Sequence, residues 1–125
     1  RDELSVGVTY ERETVEKLSG PSNFGQRSTW VYSKRQAMPT LLWGGVCVEQ
    51  GVAEVEEGDL VALHVDPQER VLEFYRNSGR VASSADERLG PLPEAEGRPL
   101  WVYVMVDEVE DTVSVTRCGH GRPYE

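Results

Sequence analysis

Two cysteines, two histidines and a surplus of carboxylates are the side chains here with the strongest claim to chemistry. Cys118 and His120 stand one residue apart, and with Cys47 and His64 they make four conceivable metal donors. A structural zinc site draws its donors in close pairs, at C-x-x-C or H-x-x-x-H spacing, so that one turn delivers two of them to the same ion. Neither spacing occurs. Cys47 therefore reads as a small strand hydrophobe, residues 118–125 read as a flexible tail, and no metal is expected. His64 lies inside an apolar alternation, the setting of a hydrogen-bonded structural histidine rather than a general base. No serine sits in a G-x-S-x-G elbow, and the acids are too numerous for any pairing rule to single out a general acid/base pair. Gly44-Gly45 and Gly119-His120-Gly121 are too short to cradle a phosphate, and neither opens a helix. No catalytic residue, nucleotide or other cofactor is expected.

Binding chemistry is better represented. The run Asp107-Glu108-Val109-Glu110-Asp111 offers carboxylates to a basic or amide-rich peptide, while Arg27, Lys34 and Arg35 flank Trp30 and Tyr32 as a local positive spot. Trp101 and Tyr103 alternate with valines, so one face of their strand presents aromatic rings of the kind that anchor interfaces. The candidate partner-binding residues are Tyr32, Lys34, Arg35, Trp101, Tyr103, Asp107, Glu108 and Glu110. Alternation alone leaves open whether Val102, Val104 and Val106 or Trp101, Tyr103 and Met105 face the core.

These residues need elements to hold them, and the chain supplies strands. Valines and aromatics recur in short alternating runs broken by Gly, Pro and Asp. Ser5–Tyr10, Thr29–Ser33 and Val46–Val48 read as strands, and Val52 and Val55 lead into the acidic turn Glu56-Glu57-Gly58-Asp59. Leu60–Val65 and Val71–Arg76 form the clearest hairpin, with Leu72 and Phe74 facing the core and Val71, Glu73 and Tyr75 facing away. Asn77-Ser78-Gly79 turns the chain into a short strand at Arg80–Ala82. Residues 83–99, with three prolines, read as an exposed loop. Leu100–Val106 and Thr112–Arg117 read as a final hairpin. Glu11–Leu18 has helix propensity but only Val15 and Leu18 as apolar contacts, so it reads as a surface loop with a helical turn. The expected fold is all-β: a single domain over residues 1–125, made of two antiparallel sheets packed face to face.

Length and charge narrow the function. At 125 residues there is room for one core. A net charge of −9 and a pI near 4.7 disfavour nucleic acid and anionic membranes. No apolar run approaches the roughly 18 residues of a spanning helix. Two cysteines suit reduced thiols and a cytoplasmic setting. The chain opens at Arg1 without an initiator Met, which reads as a domain excised from a larger protein.

Glu57-Gly58-Asp59-Leu60-Val61-Ala62-Leu63-His64-Val65-Asp66, followed by Val71-Leu72-Glu73-Phe74-Tyr75-Arg76-Asn77-Ser78-Gly79, resembles the signature hairpin of the SPRY (B30.2) family. Ser5-Val6-Gly7-Val8, Ser28-Thr29-Trp30-Val31-Tyr32, and Leu100–Val106 with Thr112–Val115 resemble further family strands in the family's order, over residues 5–117. Neuralized-type repeats share the sandwich, and Val104-Met105-Val106-Asp107 is similar to theirs as well. Both families have strands before the "VGV" strand, and only residues 1–4 precede it here. The resemblance thus implies a concanavalin-like sandwich that lacks its first strands in this chain, or gains them from elsewhere, with an uncovered edge open to self-association.

The resemblance further implies a non-catalytic protein-interaction module that recruits a substrate or partner for a larger protein such as a ubiquitin ligase. Such modules grip a peptide or protein surface with loops, here Ser33–Met38 and Asp107–Asp111, at one end of the sandwich. Two other readings stand beside it. One is a lectin-like small-ligand site built on Trp101, Tyr103 and the nearby acids. The other is a structural domain packed against other segments of its parent protein.

Overall fold

The computed structural model describes residues 4–11, 29–35, 38–50, 55–56, 58–106 and 119. They form eight strands, β1 (Leu4–Thr9), β2 (Thr29–Arg35), β3 (Met38–Trp43), β4 (Val46–Gln50), β5 (Val61–Asp66), β6 (Val71–Arg76), β7 (Gly79–Ser83) and β8 (Trp101–Val106), and among the described residues there is no helix. Five strands make one antiparallel sheet in the order β4-β3-β2-β1-β8, and three make a second in the order β5-β6-β7.

Partners directly opposite in an antiparallel ladder share a face. The register therefore stacks Val8, Trp30 and Trp43 in one row across the larger sheet, and Val6, Tyr32 and Leu41 in the next. Leu72 and Phe74 of β6 meet these rows from the smaller sheet, both fully buried. Phe74 lies edge-on to Tyr32 and Trp43, with ring centroids 6.2 and 6.3 Å away. Two sheets meeting through such a core are a β-sandwich, and each large side chain buried there contributes on the order of 1.5–3 kcal/mol.

Alternation located six of the eight strands closely, and β7 runs one residue longer at each end than expected. The missed strand is β3. Its sequence, Met-Pro-Thr-Leu-Leu-Trp, has a proline and two adjacent leucines, which hide the period of two. The ladder with β4 begins only at Thr40, so Pro39 lies beyond its reach and its missing N–H costs no bond there; the register then shifts between Leu41 and Leu42. Gly44 and Gly45, at φ +62° and +80°, make the two-residue turn into β4, which needs positive φ at both positions. The segment 36–37 lies between two strands, so Lys34 and Arg35 end β2 and are not loop residues.

Two expectations about burial are corrected. Residues 84–100 have no regular structure, yet they are more than an exposed loop. Leu92 is fully buried in the core, and Leu89, Ala95 and Leu100 pack against it. Side chains satisfy the carbonyls that this irregular backbone leaves over: Trp43 Nε1 donates to Gly90 O at 3.1 Å, Arg70 Nε to Leu92 O, Tyr10 Oη to Pro93 O at 3.0 Å, and Arg98 to Glu94 O and Ala95 O at 3.2 and 3.0 Å. On β6, Glu73 and Tyr75 do point away from the core, but both are buried there. The expected helical turn at Glu11–Leu18, the strand at Thr112–Arg117 and the tail 118–125 fall outside the described residues, apart from Glu11 and Gly119.

Candidate recognition surface

The two sheets differ in width, and the difference creates a surface. Val102 and Val104 of β8 lie opposite Val8 and Val6 of β1, so they belong to the core face of the larger sheet. Val8 and Val6 are 0% and 7% exposed, whereas Val102 and Val104 are 59% and 46% exposed. Among the described residues three strands face five, and the β8 valines are left accessible. At the opposite border Val46 of β4, paired with Trp43, is left uncovered in the same way. Alternation could place the β8 valines on a face; their exposure is what shows this part of the face to be bare.

The register also says which candidate residues share an end. Lys34 of β2 lies opposite Leu4, and Leu4 lies opposite Val106, so the row Lys34, Leu4, Val106 crosses three strands. The chain leaves β8 at that row and continues in sequence into Asp107, Glu108 and Glu110, which are themselves outside the described residues. Arg35, opposite Met38, extends the same end. Trp101 stands at the other end of β8 opposite Thr9, with its side chain exposed. Tyr103 lies opposite Gly7 in mid-strand. Tyr32 is different: it is 2% exposed and packs on Phe74 inside the sandwich, so it supports the end of β2 from within.

A polar tie fastens the residues before β5 to the end of β6. Arg76 Nε donates to Asp59 Oδ2 at 2.7 Å, Asn77 Nδ2 donates to Asp59 Oδ1 at 3.2 Å, and Leu60 N donates to Asn77 Oδ1 at 3.1 Å. The backbone N–H of Glu56 and then the Arg76 guanidinium hold the Asp59 carboxyl below its ordinary range. At the other end burial pushes the Tyr10 phenol up, while Arg98, 4.6 Å over its ring, and Arg70 pull it down.

On the outer face of the smaller sheet is a network that no motif announced. The register lines up His64, Glu73 and Ser83 across β5, β6 and β7. Glu73 Oε1 accepts from Tyr75 Oη at 3.0 Å and lies 3.1 Å from His64 Nδ1; Oε2 accepts from Ser83 Oγ at 2.9 Å and from Arg80 at 3.2 Å. A nearly inaccessible carboxylate with four such neighbours meets the requirement for burying charge. The acid stands between the serine and the histidine, whereas a nucleophile relay needs the histidine between the other two. His64 is thus a hydrogen-bonded strand histidine, as its place in the alternation implied.

No family model, curated protein or solved structure matches this chain.

Among the described residues no three His, Cys, Asp or Glu side chains converge as a metal site, and no helix is long and apolar enough to cross a membrane. What the geometry offers is an apolar shelf on β8, running toward the end of the sheet where Lys34 and Arg35 close β2.

Proposed function

We propose that this sandwich is a non-catalytic protein-recognition domain that receives an extended segment of its partner on the β8 shelf. The exposure of Val102 and Val104 on a face that is core elsewhere supports this reading above all. Bare apolar surface bounded by polar residues is a mark of interaction sites. The partner's chemistry follows from complementarity. Val102 and Val104 are spaced two apart and ask for apolar side chains at the same spacing. In sequence Glu94 and Glu96 precede β8, with Arg98 between them and the strand, and Asp107 and Glu108 follow it, within a chain of net charge −9, so the segment carries lysine or arginine. The resemblance to SPRY domains supports the same class. It adds a partner-recruiting role within a larger cytoplasmic protein such as a ubiquitin ligase, with Lys34 and Arg35 closing β2 at the end of the sheet where β8 stops and the acidic run following β8 in sequence.

The test is fluorescence anisotropy with two labelled synthetic octapeptides, one alternating valine with lysine and one alternating valine with glutamate. The valine–lysine peptide is expected to bind at least about tenfold more tightly. The double variant Val102→Asp/Val104→Asp should weaken it by a similar factor without lowering the melting temperature appreciably, since exposed substitutions typically stay within about 0.5 kcal/mol. Equal binding of both peptides, or unchanged binding by the variant, would remove β8 as the site.

A further inference from the structure

The end of the sandwich that holds Tyr10 and Trp43 has a notch of about 250 Å³ between the β5–β6 turn and the irregular stretch after β7, lined by Pro67, Gln68, Arg70, Glu94 and Ala95. Both walls are held by hydrogen bonds within the chain. Asp66 Oδ1 accepts from the backbone N–H groups of Gln68 and Glu69, each at 3.1 Å, and closes the turn. The opposite wall carries the side-chain-bonded carbonyls from Gly90 to Ala95 described above. Arg70 stitches the walls together: its Nε donates to Leu92 O, and its carbonyl accepts from Leu92 N at 3.1 Å.

Arg70 also sits at φ +60°, a conformation that suits glycine and strains a residue with a side chain. Surrounding contacts hold that strain in place, and such outliers gather at ligand clamps. Among the described residues no hydrogen bond or ion pair uses the two Nη nitrogens of Arg70. They form the planar fork that matches a carboxylate.

We infer that this notch binds the free carboxyl terminus of a peptide. The carboxylate takes the Nη pair of Arg70, with the Gln68 amide as a second donor. The last backbone N–H of the peptide donates to the Glu94 carboxylate, and a small apolar side chain rests on Pro67 and Ala95. The volume admits one terminal residue and little more. Glu94 and Glu69 make the surroundings acidic, which works against a bare anion and in favour of a ligand that brings a donor to Glu94 along with its carboxylate. This site is separate from the β8 shelf and stands or falls without it.

The experiment is a ¹⁵N-HSQC titration of the full chain with N-acetyl-Ala-Ala-Val as free acid, with its C-terminal amide, with N-acetyl-Ala-Asp-amide, and with acetate. The free acid is expected to shift the amide signals of Gln68, Arg70 and Ala95 saturably, and the amide to bind at least tenfold more weakly. Arg70→Gly, which keeps the turn because glycine suits its φ, should abolish those shifts. Acetate binding as tightly as the free acid would reduce the notch to an anion site, and equal binding of the aspartate peptide would reassign it to acidic side chains. Either result overturns the inference, as does the absence of shifts with the free acid. The comparison of acid with amide needs no variant and remains decisive if Arg70→Gly is destabilised.

Discussion

Glu73 shows most sharply what a period of two can and cannot tell. The alternation put it on the side of β6 away from the core, and it is there. What the pattern lacks is any statement of how that side is covered. Glu73 is 1% exposed, with His64, Tyr75, Arg80 and Ser83 around its carboxylate. Removing the acid leaves buried donors and a nearby guanidinium without their common acceptor. Glu73→Ala is therefore expected to cost about 3–5 kcal/mol in urea denaturation, the range for breaking a buried ion pair by deleting one partner. Glu73→Gln, which keeps an acceptor oxygen, should lose less. Asp59 gives a pH effect of known sign. Its folded pKa lies below the ordinary carboxylate value, so the unfolded chain takes up the proton first on acidification. The stability that Asp59 contributes is fully present above about pH 4 and is lost as the pH falls through the lowered value. The melting-temperature gap between the parent protein and Asp59→Asn should therefore be constant from pH 7 to about 5 and should close below about 4; a gap that persists into that acid range would refute the assignment.

Among the elements, the hairpins were the most legible, because β5, β6 and β7 combine regular alternation with turn residues that stop it. The stretch after β7 was the least legible. Leu89, Leu92, Ala95 and Leu100 do not alternate as a strand would, and the prolines at 91, 93 and 99 rule out the helix that could bring them to one face, so the stretch reads as loop and not as core. A direct measurement of this correction is Leu92→Ala. A true surface position would tolerate it, whereas a fully buried leucine loses about 2–5 kcal/mol by its transfer and cavity terms. Tyr10→Phe deletes only the bond to Pro93 O and should cost about 0.5–1.5 kcal/mol. For the candidate surface, the sequence supplied the residues of β8 and both possible facings. The choice between them rests on the pairing of Val102 with Val8 and of Val104 with Val6, which is a property of two strands about a hundred residues apart in the chain.

At the scale of the molecule, the unequal sheets and the net charge work against each other. The exposed valines of β8 and Val46 of β4 invite self-association, and a charge of −9 resists it at neutral pH. Sedimentation velocity should accordingly show monomer at pH 7 and association near the pI of 4.7, suppressed by Val102→Lys/Val104→Lys. Association that is unchanged in this variant would place the sticky surface elsewhere. The side-chain bonds to the Gly90–Ala95 carbonyls carry a further consequence, for the order in which the molecule assembles. Their donors lie far off in sequence, Tyr10 separated by 83 residues from Pro93 and Trp43 by 47 from Gly90. Neither bond forms until distant strands have found their places, and this stretch is expected to settle after the rate-limiting barrier. Tyr10→Phe and Trp43→Phe should then quicken unfolding and leave the refolding rate nearly unchanged. The stretch that looked most dispensable in the sequence would act as the latch that sets how long the native state lasts once formed.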